Sequence, residues 1–161
     1  MKISERCLTM VKHHEGVRLR PYRCPAALWT IGVGHVLYPD QALLPMDKRL
    51  EYPLKAQDAY PHTMDEVDAL LAKDISYFER GVARLCPASV NHQSQFDALV
   101  SFAFNVGLGT LQRSSVRSAY NRGNLEATAE SLMKYVRGGG KILPGLLKRR
   151  GDEAALLMSN V

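Results

Sequence analysis

Residues 15–35, EGVRLRPYRCPAALWTIGVGH, carry a carboxylic acid at Glu15, a thiol at Cys24 and a hydroxyl at Thr30. These three side-chain types can divide the work of hydrolysing a glycosidic bond. One acid must deliver a proton to the leaving oxygen, and polar groups must hold a water against the opposite face of the sugar. Glu15 follows an apolar-periodic run and precedes Gly16, so it falls at the C-terminal end of a predicted helix. The helix dipole opposes a second negative charge there, which favours a general acid if the carboxyl is also part-buried. An exposed surface glutamate is the ordinary alternative.

Other chemistry is open to the same residues. Cys24 can be read as a nucleophile, a group that positions water, or a small buried apolar residue. Thiolate catalysis needs a histidine partner, for which His35 is the nearest downstream candidate, yet no local cysteine-peptidase signature surrounds Cys24. His13, His14 and Glu15, completed by His35, invite a metal reading. Adjacent helical residues point in different directions, and neither HExxH nor a CxxC pair is present, so no metal and no cofactor are expected. Arg137-Gly138-Gly139-Gly140-Lys141 is no phosphate loop, because Tyr135 stands six residues before the lysine where glycine is required. It is predicted to be a loop that ends a helix. Lys148-Arg149-Arg150 is expected to form a solvated basic face.

The elements that must position these groups follow from periodicity. Ser4 caps a predicted helix over 4–14, with Cys7, Met10, Val11 and His14 at helical spacing. From 17 to 38 the chain alternates, turns around Pro21 and Pro25, and passes through Trp29-Thr30-Ile31 into Gly32-Val33-Gly34, the pattern of a small antiparallel sheet. Residues 38–62 hold Pro39, Pro45, Pro53 and Pro61 and are expected to be a long irregular loop. Thr63-Met64-Asp65-Glu66 is a capping box before Val67, Leu70, Leu71, Ile75 and Phe78. Residues 92–106 predict a buried central helix, 115–122 and 125–136 two short ones, and Pro144 opens a last helix to about Met158. The fold class is α+β: a small antiparallel β lobe joined to a larger helical lobe, with a cleft expected between them.

Length and composition set the frame. The 161 residues suit a single domain, with a β lobe at about 15–62 and a helical lobe at about 63–161 plus the N-terminal helix. No window reaches the roughly 18 continuous apolar residues of a membrane span, and the N-terminus lacks the apolar core of a secretory signal. Three cysteines (Cys7, Cys24 and Cys86) argue against a disulfide framework and for a reducing compartment. A net charge of +5 favours polyanionic partners, but no helix-turn-helix, zinc-finger or aromatic RNA-binding signature appears, so nucleic acid is not expected as a partner.

Glu15, Cys24 and Thr30 stand in the spacing E-x8-(D/C)-x5-T. With EG-x-RL-x-x-Y, WTIGVGH, SFAFNVG at 101–107 and LPGLLKRR at 143–150, the chain resembles the phage-type lysozymes and endolysins of glycoside hydrolase family 24, the T-even type, over about residues 5–155. The resemblance implies a lysozyme-like fold and inverting cleavage of the β-1,4 bond between N-acetylmuramic acid and N-acetylglucosamine in peptidoglycan, for host lysis. It implies Glu15 as general acid, with Thr30 and the group at position 24 holding the attacking water. It also implies a structural ion pair between His35 and Asp74, and Asn105 as a residue near the substrate. Cys24 replaces the aspartate of the T-even branch, and the segment 38–62 is longer than there. The implied enzyme is a monomer held in the host cytoplasm until a holin-type membrane pore releases it to the periplasm or wall. The alternative is a lysozyme-fold module that binds glycan or protein without cutting.

Overall fold

Ser4 starts the first helix as its sequence position requires. Its hydroxyl accepts the Cys7 amide hydrogen at 3.2 Å, and α1 runs Glu5–Glu15 with Cys7 and Val11 buried. The computed structural model describes residues 1–160. It divides into two compact units, Glu15–Asp74 and Met1–His14 with Ile75–Val161.

The unit Glu15–Asp74 is built on three antiparallel strands in the order β1-β2-β3: β1 Arg18–Arg23, β2 Trp29–Gly32 and β3 His35–Val36. A tight loop joins the first two. The Ala27 amide donates to the Cys24 carbonyl at 2.8 Å and the Cys24 amide to the Leu28 carbonyl at 3.0 Å. The third loop residue, Ala27, takes φ 61°, a left-handed conformation that usually falls to glycine.

Residues 38–62 are not the irregular loop expected. They fold into a 3-10 turn at Pro39–Leu43, α2 at Met46–Glu51 and a second 3-10 turn at Ala56–Asp58. Pro39 and Pro45 stand where helical segments begin, and proline is tolerated there because the missing N–H would have no partner. Two arginines fasten this insert. Arg23 donates to the carbonyls of Ala27, Arg49, Leu50 and Tyr52, and Arg49 to those of Ala26, Ala42 and Leu44. The buried Gln41 completes the fit: its oxygen accepts from the Trp29 amide and its nitrogen donates to the Tyr38 carbonyl.

Helix α3, Met64–Leu85, begins with the expected cap, since Thr63 Oγ1 accepts the Glu66 amide hydrogen at 3.1 Å. In the unit Met1–His14 with Ile75–Val161, α4 (Gln93–Val106) is the buried core helix and packs most extensively on α8, Pro144–Met158. Helices α5 Leu108–Arg113, α6 Ser115–Asn121 and α7 Leu125–Leu132 surround it. The last of these stops short of the predicted 136. The predicted loop at 137–141 is instead a hairpin of β4 Arg137–Gly138 and β5 Lys141–Ile142. Gly139 and Gly140 take φ 57° and 78°, and two successive left-handed residues make the turn whose twist suits a two-residue hairpin.

The basic run on α8 is corrected as well. Lys148 is exposed, whereas Arg149 and Arg150 are buried at 3% and 0% exposure around a fully buried Glu153. Arg150 Nε lies 2.8 Å from Glu153 Oε2 and Arg149 Nε lies 3.2 Å from Oε1, while the Ser101 hydroxyl donates to Oε1 at 2.7 Å. Burial pushes the Glu153 carboxyl above its ordinary value, and Arg150, Arg149 and Ser101 pull it the other way.

Candidate active site

Glu15 is the last residue of α1, at the negative end of the helix, as the sequence requires. It is exposed rather than part-buried. Cys24 is half-buried at the entry to the β1–β2 loop, and Thr30 lies on β2 at 2% exposure.

One carbonyl joins the last two. Leu28 O accepts the Cys24 amide hydrogen at 3.0 Å and the Thr30 hydroxyl at 2.9 Å. Thr30 Oγ1 has therefore spent its hydrogen and can serve a water only as an acceptor. One side chain links all three positions. Tyr22 on β1 is the cross-strand partner of Thr30, and the two side chains share a face of the sheet. Burial pushes the Tyr22 hydroxyl above its ordinary value; Arg18 opposes the rise, and charge on Cys24 and Glu15 adds to it. That coupling places Tyr22 within electrostatic reach of both. The sequence reading passed over Tyr22 as a functional residue, although its place two residues before Cys24 was a usable signal.

His35 Nδ1 and Asp74 Oδ2 are 2.8 Å apart, with side chains 25% and 29% exposed. His35 is also the β3 partner of Ile31 beside Thr30, so the pair fixes the outer strand next to the strand that carries the hydroxyl. The His35 ring is engaged by Asp74, so the peptidase reading gains nothing from the geometry.

Asn105, near the end of α4, is exposed, and its Oδ1 accepts from Arg150 Nη2 at 2.8 Å. The carboxamide is thus anchored to the buried Arg149–Arg150–Glu153 cluster. Arg150 also stacks 5.0 Å from the centre of the Phe102 ring. The His13–His14–Glu15 run does not assemble a metal site: His14 Nε2 lies 2.9 Å from Asp152 Oδ2. Among the described residues no group of three or more His, Cys, Asp or Glu is placed to hold an ion. No helix among them is long and apolar enough to cross a membrane.

The chain is similar to known proteins over most of its length. Residues 12–153 match the family described as phage lysozyme. The endolysin of Bacillus phage B103 is 34% identical over 99% of this chain and 55% of its own length. The endolysin of Acyrthosiphon pisum secondary endosymbiont phage 1 is 32% identical over 99% of both chains. The chain spans about half the length of the two Bacillus phage relatives it matches, 55% of B103 endolysin and 56% of that from phage PZA. The solved endolysin from Escherichia coli O157:H7 phage FAHEc1 superposes with a TM-score of 0.78 at 28% identity, covering 100% of this chain and 96% of that one.

Proposed function

The chain belongs to the phage lysozyme family, and from that premise we propose that it is a muramidase of the endolysin type. It would hydrolyse the β-1,4 bond between N-acetylmuramic acid and N-acetylglucosamine in peptidoglycan. The observation that carries this reading is the grouping around the β1–β2 hairpin: Tyr22 faces Thr30 across the sheet, and the Leu28 carbonyl accepts both the Cys24 amide hydrogen and the Thr30 hydroxyl.

In the proposed reaction Glu15 protonates the oxygen bridging the two sugars, and that carbon–oxygen bond breaks as a water attacks the anomeric carbon from the other face. The water donates a hydrogen bond to Thr30 Oγ1 through the hydrogen that stays in the product hydroxyl and is steadied by Cys24; its other proton leaves to solvent, from which Glu15 is reprotonated. Single displacement inverts the anomeric configuration. Asn105, held by Arg150, contributes an oriented carboxamide to the sugar chain, and the His35–Asp74 pair keeps the sheet in register. No metal or other cofactor takes part. We further assign passage to the wall to a separate holin-type pore, the enzyme being held in the host cytoplasm as a monomeric single domain until then.

A zymogram of bacterial walls with the purified chain and Glu15→Gln side by side tests the reading. Clearing by the first and none by the second is expected, with muramic acid at the new reducing ends. Equal clearing by both, or glucosamine at the reducing ends, would reject it.

A further inference from the structure

We propose that Arg18 determines specificity by receiving a free carboxylate of the peptide stems that peptidoglycan carries; this rests on the muramidase reading above. Arg18 opens β1, three residues after Glu15, and its register partner on β2 is Gly32. A glycine there leaves the guanidinium with no side chain opposite it. Its contact is instead along its own strand, with Cζ 4.9 Å from the centre of the Tyr22 ring. Tyr22 is the residue that faces Thr30 and couples to Glu15 and Cys24, so the cation stands on the side chain that gathers the candidate catalytic groups.

The stacking settles orientation without consuming donors. Among the described residues the Arg18 guanidinium makes no hydrogen bond or ion pair. A guanidinium resting on an aromatic face keeps its N–H fork in the ring plane's neighbourhood, open to a planar bidentate acceptor. Carboxylate is the acceptor that fits such a fork. The sugar backbone of peptidoglycan presents hydroxyls and amides, while its peptide stems end in carboxylates, so the stem is the partner with the complementary charge. A lysine at position 18 would supply a mobile point charge in place of the fork.

Two substrates separate this role from a structural one: purified walls with free stem carboxylates, and the same walls with those carboxylates converted to amides. Arg18→Ala is expected to lower kcat/KM about tenfold on the intact walls, through KM rather than kcat, since one charge-assisted contact to bound substrate is lost. On the amidated walls it should work at the wild-type rate, and Arg18→Lys should fall between on intact walls. Equal loss on both substrates, or full activity on intact walls, overturns the assignment. A wild-type chain inert on both overturns the muramidase reading itself, and this assignment with it.

Discussion

Glu153→Gln is the substitution with the largest expected cost. It keeps the shape of the side chain and removes only its charge, so no cavity complicates the outcome. The native carboxylate sits at 0% exposure between Arg150 at 2.8 Å and Arg149 at 3.2 Å, both guanidiniums buried as well. If the effect were one neutral hydrogen bond weakened, about 1 kcal/mol would be lost. Removing a charged partner shared by two buried cations is a different matter, and removal of one member of a buried ion pair costs about 3–5 kcal/mol. At roughly 2–4 °C per kcal/mol for a chain of this size, Tm should fall by about 6–20 °C. Arg150→Met should cost less, because Glu153 keeps Arg149 as its partner. It should also impair activity by freeing the Asn105 carboxamide. Thermal and urea unfolding followed by circular dichroism measure both. A loss below about 1 kcal/mol for Glu153→Gln, or a larger loss for Arg150→Met, would show that the cluster is held by packing and not by charge.

Thr30→Ala should lower activity on walls about a hundredfold while Cys24→Ser keeps a measurable fraction. A retained anomer in the first product, with Cys24→Ser inactive, would make Cys24 the nucleophile instead. His35→Ala or Asp74→Asn should cost about 1–2 kcal/mol, as a pair only partly screened by solvent, and leave kcat near wild type; collapse of kcat at unchanged Tm would contradict that structural role. His14 is held below its ordinary 6.5, by burial first, with the Asp152 hydrogen bond working against the shift. The unfolded chain therefore binds more protons just below that value, so Tm should fall as pH drops through 6.5 and below, and His14→Gln should flatten the profile between pH 5 and 7. Expression in a bacterium should give little lysis until the membrane is permeabilised with solvent; prompt lysis without it would remove the need for a pore.

Local signals carried much of the architecture. Ser4, Thr63 and Pro144 mark helix starts because capping is decided by neighbours within one turn. The apolar run at 92–106 marks the core helix for the same reason. The alternation and turn residues of 17–38 marked the strands, and apolar periodicity ending at Gly16 marked the helix before them. What stayed hidden depends on partners distant in sequence. Prolines in 38–62 read as breakers, yet Pro39 and Pro45 stand where short helical segments begin, and Arg23, far upstream, takes up the carbonyls that the end of α2 leaves over. Arg149 and Arg150 read as surface charge. Glu153 at three and four residues' distance was the available hint, but burial came from Ser101, Phe102 and Asn105 on another helix. Exposure of Glu15 was likewise a property of packing and not of spacing.

The hydrogen bonds by which two arginines fasten residues 38–62 all go to main-chain oxygens, those of Ala26, Ala27, Ala42, Leu44, Arg49, Leu50 and Tyr52, and the aromatic contact of Arg23, 4.3 Å from the centre of the Trp29 ring, lies outside the insert. A clasp of that kind is blind to side-chain identity. Leu43, Met46 and Leu50, at 88%, 51% and 59% exposure, can therefore be exchanged without loosening it. The insert is in effect a replaceable faceplate, on which new binding specificities can be written by mutagenesis while the hairpin beneath, with Cys24 at its turn, stays in register.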